Sequence, residues 1–447
     1  MDKKKLKEKV TEVIFENLIQ GYSESQDTSY TFIKPSKKFY SYQYFWDTCF
    51  HIYILCAIGE TGLAKDCFRT QFAMQSENGF VGHIHYWNNV MPARITDIFQ
   101  NRIGLGRKLV QSHMSSLIQP PLIAQALQKI WETTKDEDYL REMLPKLKLY
   151  FEWLAKNRDF DDDGLISIIS PFESGMDWKA SYDPVVNFHH GKANKKLFWK
   201  MVGIDYRNFW RDYDHEKIAK RDKFRVKDAG FNTVYIQNLR AMGKLCEDIG
   251  DEDSRLYQKR FEQVRKTMIE KMYDEEDKAF YDLYGKNDEK IKILTATIFF
   301  PVIIEGMPEE ICQDIIKNHF FNKEEFHTEY PVPSLSINDP AFNPGQSMYI
   351  WRGPTWIFNN WFMHQFFLEQ GNEEEAKHLI DAIKKLIDKS GFREYYNPFT
   401  GEGYGAHNFT WGGLVLDMIH RDEEYKKKKS GKSEGSNQSK ESNKKAG

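Results

Sequence analysis

Two segments set carboxylates beside aromatic and glycine residues in a way that suits acid–base chemistry. In Pro171-Phe-Glu-Ser-Gly-Met-Asp-Trp178, Glu173 and Asp177 flank Gly175, which lets the chain turn tightly. A carboxyl set against an indole such as Trp178 is disfavoured as an anion, so it can keep its proton and serve as a general acid. A surface turn is the plain alternative. In Gly391-Phe-Arg-Glu-Tyr-Tyr-Asn-Pro-Phe-Thr-Gly-Glu-Gly-Tyr-Gly405, Glu394 lies among Arg393, Tyr395 and Tyr396, and Glu402 sits in a glycine-rich turn. That turn either lets backbone approach a ligand or simply connects. A third carboxylate, Asp47, is embedded in Phe39-Tyr-Ser-Tyr-Gln-Tyr-Phe-Trp-Asp-Thr-Cys-Phe-His51. It caps a helix, or it accepts sugar hydroxyls beside stacking rings. Trp351-Arg-Gly-Pro354 is a further aromatic and charged stretch, just ahead of an apolar helix.

The run Asp159-Phe-Asp-Asp-Asp-Gly164 has two sharper readings and a bland one. Asp159, Asp161, Asp163 and Gly164 match positions one, three, five and six of a calcium loop, but position twelve is Ser170 rather than the bidentate Glu. Asp159-Phe-Asp-Asp162 also resembles the acid motif of terpenoid cyclases, which needs an apolar setting that this polar stretch lacks. A solvated acidic turn is favoured, and no metal or cofactor is expected.

The whole chain sets limits on these sites. Its 447 residues carry 63 Lys+Arg against 66 Asp+Glu, and that near-neutral balance speaks against a nucleic-acid partner. No run is long and apolar enough to span a membrane, and the basic N-terminus lacks the apolar stretch of a secretion signal. Five scattered cysteines without a C-x-x-C pair indicate neither zinc nor a disulfide framework, so the cytoplasm is the expected compartment. Aromatic residues make up 15% of the chain, enough to line a sugar pocket as well as fill a core. A homo-oligomer is left open.

The elements that must hold the carboxylates read as helices. Phe231, Tyr235, Leu239, Met242, Cys246 and Ile249 recur on one helical face, and so do Leu140, Leu144, Leu147, Phe151 and Leu154. Helices are expected near 2–20, 46–59, 62–77, 111–134, 136–157, 229–249, 251–273, 292–302, 307–319, 354–370, 372–389 and 408–423. Joints such as Gly59-Glu60, Gly250-Asp251 and Gly371-Asn372 are short, which makes antiparallel hairpins. A helix at 354–368 that is apolar almost all round, followed by an amphipathic one, implies inner–outer alternation. The expectation is an all-α (α/α)6 barrel, or toroid, in one catalytic domain over 1–425. Long non-helical stretches at 20–45, 78–110 and 158–228 would wall and cover the site, with 187–228 as a lid insertion. The Lys-, Ser- and Gly-rich stretch 426–447 reads as a disordered tail.

Six segments taken in order resemble glycoside hydrolase family 63, in the branch of the mannosylglycerate and glucosylglycerate hydrolases. They are Tyr40–His51, Phe80-Val-Gly-His-Ile-His-Tyr-Trp87, Gln119-Pro-Pro121, Glu173-Ser-Gly-Met-Asp177, Trp351-Arg-Gly-Pro354 and Phe392-Arg-Glu-Tyr-Tyr396. The resemblance implies an inverting glycosidase with Asp177 as general acid and Glu394 as general base. Inversion requires two such groups about 6.5–9.5 Å apart, with room for a water between the base and the sugar. The resemblance also implies a sugar pocket formed by Tyr40, Tyr44, Trp46, Asp47, Trp87, Gln119, Gly175, Trp351 and Arg352. A substrate carboxylate would need a cation, for which the lid offers Arg207 and Arg211. The alternatives are an α-glucosidase or trehalase-like enzyme on a neutral disaccharide, a terpenoid-cyclase-like enzyme, and a sugar-binding toroid without turnover.

Overall fold

The computed structural model describes residues 1–88, 95–100 and 113–444, with side chains described for 97–100 of the middle stretch and up to residue 430. In chain order its helices are α1 (Lys3–Glu16), α2 (Phe45–Ile58), α3 (Thr61–Phe72), α4 (Ile95–Phe99), α5 (Ile123–Thr134), α6 (Glu137–Arg158) and α7 (Lys195–Phe209). There follow α8 (His215–Arg221), α9 (Ala229–Asp248), α10 (Ser254–Met272), α11 (Glu309–Ile315), α12 (Ile357–Glu369), α13 (Glu373–Ser390) and α14 (Leu414–Lys444).

Burial sorts these helices into two layers. Every residue of α2 is buried, as its apolar circumference requires, and α12 is buried over nearly its whole length. By contrast α13 buries only the stripe Ala376, Leu379, Ile380, Ala382, Ile383, Leu386 and Ile387, and keeps its lysines and glutamates outside. The buried members close a ring: α2 packs on α5, α5 on α9, α9 and α12 on the 3-10 turn Phe300–Ile303, α12 on α14, and α14 back on α2. Helices α3, α6, α10 and α13 each pack outside the inner helix that precedes them in the chain. This is the expected (α/α)6 toroid.

The two ends of the ring differ. Inner helices pass to their outer partners through tight joints, as at Gly59-Glu60 and Lys135-Asp136. The return connections, 73–122, 159–228, 273–295, 321–356 and 391–413, are all long. The N-terminal ends of the inner helices therefore open beneath most of the chain's irregular backbone, and a site belongs there.

Several expectations need correction. The helix expected at 292–302 is two 3-10 turns, Ala296–Ile298 and Phe300–Ile303, because Pro301 lacks an N–H for a longer α-helical ladder. The helix expected from 111 begins only at Ile123, after Pro120 and Pro121. The 20–45 stretch contains a hairpin pairing Leu18–Ser23 with Thr28–Ile33. The 187–228 insertion is largely helical, since α7 buries Leu197, Met201, Val202, Ile204 and Phe209. Part of the 78–110 stretch lies outside the described residues. The backbone of α14 runs on past residue 426 to Lys444. Its Lys429 pairs with Glu373 at the start of α13.

Candidate active site

At the open end lies a cavity of about 410 Å³. Tyr44, Trp46 and Asp47 reach it from the start of α2, Gln119 from just before α5, Trp351 and Trp356 from just before α12, and Phe409 and Trp411 from just before α14. Asp177 and Glu394 face the same space, together with Tyr40 and Gly175.

The loop bearing Asp177 is held by the ion pairs of three buried cations. Arg158, at the end of α6, grips Glu173 with Nη1 to Oε2 at 2.7 Å and Nη2 to Oε1 at 2.6 Å, both side chains being fully buried. Glu173 also accepts the backbone N–H groups of Ile118 and Ile169, at 3.0 and 2.7 Å. A carboxylate so fully engaged is a fastener, and Asp177 is the acid of the segment that faces the cavity. Next along the loop, the buried Lys179 ammonium pairs with Asp228 and with Asp282, the latter at 2.7 Å. Asp228 in turn caps α9 through the Phe231 N–H at 2.7 Å. Finally Arg352 binds Asp183 with both terminal nitrogens and donates Nε to the Trp178 carbonyl at 2.9 Å. Between these anchors Gly175 takes φ +70°, and a Cβ there would come within 2.6 Å of the Trp46 ring.

Glu394 stands on the strand Arg393–Tyr396, paired with Gly403–His407. Its Oε1 accepts the Tyr40 hydroxyl and its Oε2 accepts the Ala406 N–H at 2.8 Å. Burial and the adjacent Glu394 charge push the Tyr40 phenol far above its ordinary pKa, so Tyr40 remains a donor. Gly405, at φ +67°, leaves the space that Glu394 occupies, since a Cβ would lie 2.4 Å from Oε2.

Asp47 is the third carboxylate. Its Oδ1 accepts the Trp411 indole N–H at 3.0 Å. Burial raises its pKa to about 7, hydrogen bonds to Trp411 and the backbone oppose the rise, and the negative charges of Glu394 and Asp177 add to it. The three acids thus feel one another across the cavity. Around them the rings interlock: Trp351 stacks on Trp356 with centroids 3.7 Å apart, and Trp46 meets Trp411 edge-on at 5.4 Å. Gln119 Oε1 accepts the Trp46 N–H at 3.1 Å, which leaves its amide NH₂ as the donating end.

Of the site residues expected from the sequence, Tyr40, Tyr44, Trp46, Asp47, Gln119, Gly175, Asp177, Trp351 and Glu394 line the cavity together. Four others are placed elsewhere. Trp87 stacks on Tyr30 at 4.7 Å and donates to Gln43 at 2.8 Å, behind the wall. Arg352 is buried beneath the acid loop. Arg207 and Arg211 line a separate shallow depression with Arg221 and Lys223, because Arg207 stands opposite Phe198 on α7 and Arg211 follows just past the end of that helix. From the 187–228 segment it is Phe198 that reaches the cavity. Tyr42, His83, Asp97, Gln100, Trp178, Trp356 and Trp411 also line it and were not singled out for the pocket. An aromatic residue at the entry to an inner helix was the available signal for Trp356 and Trp411. Burial lowers the pKa of His83 to about 3, so its imidazole is neutral.

The acidic run lies away from this cavity, which removes the setting a cyclase would need. Asp159 accepts the N–H groups of Asp163 and Gly164 and closes its own turn. Asp161, Asp163 and Asp288 bring oxygens within 4.8 Å of one another. Lys227 sits among them at 2.7–2.8 Å, joined by Arg225 on Asp161 and Lys271 on Asp163 and Asp288. Protein cations already answer these carboxylates.

Residues 40–412 match the model of a family described as the mannosylglycerate hydrolase MGH1-like glycoside hydrolase domain. A mannosylglycerate hydrolase of Thermus thermophilus is 27% identical over 413 residues, covering 86% of this chain and 95% of the relative. A glucosylglycerate hydrolase of Mycolicibacterium hassiacum is 25% identical, covering 85% and 92%. Among solved structures, a glycoside hydrolase family 63 mannosylglycerate hydrolase from Thermus thermophilus in complex with Tris and D-glycerate superimposes with TM-score 0.79 at 24% identity, covering 93% of this chain and all of that one. A neutral trehalase from Saccharomyces cerevisiae shares the fold at TM-score 0.61 and 13% identity, covering 93% and 80%.

Proposed function

Because this chain belongs to the mannosylglycerate hydrolase MGH1-like family of glycoside hydrolases, we propose that it hydrolyses a small α-glycoside with inversion, glucosylglycerate or mannosylglycerate being the leading substrates. The observation that carries this reading is the meeting of Asp177 and Glu394 in one indole-walled cavity, with Glu173 withdrawn into its pair with Arg158. Asp177 gives its proton to the glycosidic oxygen as the bond to the anomeric carbon breaks. Glu394, oriented by Tyr40 and Ala406, takes a proton from the water that attacks the opposite face. Asp47 accepts sugar hydroxyls, and the Trp351–Trp356 stack gives the ring an apolar face. The names of the relatives and the D-glycerate in the Thermus complex support a glycerate aglycone.

A second reading follows from the placement of Arg207 and Arg211 at a depression separate from the cavity. The cations expected to meet a carboxylate do not reach the cavity, which favours a neutral disaccharide of the kind trehalase-like enzymes cleave. Incubating the purified protein with glucosylglycerate, mannosylglycerate and neutral disaccharides, with the released anomer followed by NMR, separates the two. Release of the β-anomer from an α-glycoside supports inversion, retention refutes it, and the substrate turned over fastest identifies the aglycone class.

A further inference from the structure

His190 closes a seam between two of the long connections at the open end of the ring. Its Nδ1 meets Asp183 Oδ2 at 3.1 Å, within the 159–228 connection that carries Asp177. Its Nε2 meets both oxygens of Asp339 at 2.9 and 3.0 Å, within the 321–356 connection that brings Trp351 to the cavity wall. Asp339 is braced by its own turn, since its Oδ1 also accepts the Ala341 N–H at 2.7 Å.

The seam runs on to the loop of the acid. Arg352 Nη1 is shared between Asp183 Oδ2 at 2.9 Å and the carbonyl of Gly191, the residue after His190, at 3.3 Å. The same guanidinium holds the Trp178 carbonyl at 2.9 Å, next to Asp177. His190 thus fixes two of the acceptors that aim Arg352, one by hydrogen bond and one as its chain neighbour. The Trp351 wall has other supports: Trp351 stacks on Trp356, and the Ser347 carbonyl accepts the Tyr395 hydroxyl at 2.9 Å.

This link suits a cation. Only an imidazolium carries an N–H on both nitrogens; a neutral ring offers one donor and turns a lone pair to the other carboxylate. The charged groups about the ring are Asp183 and Asp339, with Arg352 beyond Asp183, so a protonated ring sets two positive groups against two negative ones. Hydrogen bonds to Asp183 and then Asp339 raise its pKa to about 9, against burial.

We propose that His190 is a positioning residue for the glycosidase reaction, its imidazolium holding the Asp183–Arg352 pair that sets the backbone beside Asp177. This role rests on the reading of Asp177 as general acid. When the ring loses its second N–H, the acid loop comes away from the Asp339 turn and bond cleavage slows, while the sugar still binds.

The test compares the parent, His190→Gln and His190→Lys on the full chain, with a glycoside that the parent turns over. The ratio of parent to His190→Gln kcat should be about fivefold near neutral pH and fall to unity above about pH 10, with KM changed less than about twofold. Titrations common to both proteins cancel in that ratio. A lysine can donate to both carboxylates and keeps its charge to higher pH, so His190→Lys should restore the neutral-pH rate and hold it where the parent declines. A ratio of one at every pH overturns the proposal. A raised but flat ratio also overturns it, because the loss then ignores the proton, and so does a change confined to KM. Hydrogen exchange over residues 176–191 at neutral pH needs no substrate and should quicken in His190→Gln. A parent without turnover would count against the proposed function, whereas unchanged exchange in the variant overturns the link itself.

Discussion

Arg352 and Asp183 form a doubly bonded, fully buried pair directly beneath the loop that carries Asp177. The same guanidinium holds the carbonyl of Trp178, the residue after the acid, and Trp178 sits at φ +68°. Few non-glycine residues adopt that backbone without outside support. In the proposed mechanism Arg352 is therefore a positioning residue, acting on Asp177 through the backbone.

Replacing it should show as a loss of rate. Arg352→Met leaves the buried Asp183 with His190 as its remaining partner, and stability should fall by about 3 kcal/mol. In the fraction that folds, kcat should drop more than tenfold while KM changes little, because the cavity wall itself is intact. Thermal melts and steady-state kinetics check both. A large rise in KM with unchanged kcat would return Arg352 to the sugar pocket.

The proposed acid and base are separable by mutation from Glu173, the fastener beside Asp177. Asp177→Asn and Glu394→Gln should each reduce turnover at least about 100-fold with little change in melting temperature. Glu173→Gln should do the reverse in emphasis: it leaves Arg158 buried and unpaired, so the melting temperature falls first. Near-normal turnover in either of the first two variants would sink the assignment.

Stability should also depend on pH through His190, which bridges Asp183 at 3.1 Å and Asp339 at 2.9 Å. Its hydrogen bonds to Asp183 and then Asp339 raise its pKa to about 9, against burial. A folded-state pKa above the ordinary value of 6.5 means the imidazolium stabilises the fold fully below pH 6.5 and loses that contribution as pH rises through 9. The melting temperature of the parent protein should fall across that window. His190→Gln should melt lower at its acid end and converge with the parent at its alkaline end; parallel curves would exclude His190 as the source.

Arg207→Ala and Arg211→Ala should leave KM nearly unchanged for glycerate-linked and neutral substrates alike, since both side chains flank the outer depression on α7. A strong KM increase confined to the glycerate substrate would show that the lid rearranges on binding and brings one of them inward.

Periodicity and the short joints were enough to order the ring, apart from the position at 292–302 that two 3-10 turns fill. The circumference of α2 and the single stripe of α13 each state how many sides of a helix are covered, and short glycine joints state which helices run antiparallel. The candidate acids were also legible, because Asp47, Glu173, Asp177 and Glu394 stand out among rings and glycines in their own segments. What periodicity cannot record is which group from a distant segment meets each acid. Asp47 is met by Trp411, 364 residues away, and Arg352 meets Asp183 from 169 residues away. Glu173 and Asp177 look alike in a linear text, and only folding brings Arg158 against one of them. Arg207 on α7, and Arg211 just past its end, show the same limit. The helical repeat sets Arg207 opposite Phe198, but which of the two faces looks into the cavity is set by how α7 docks, through long-range packing that local spacing does not encode.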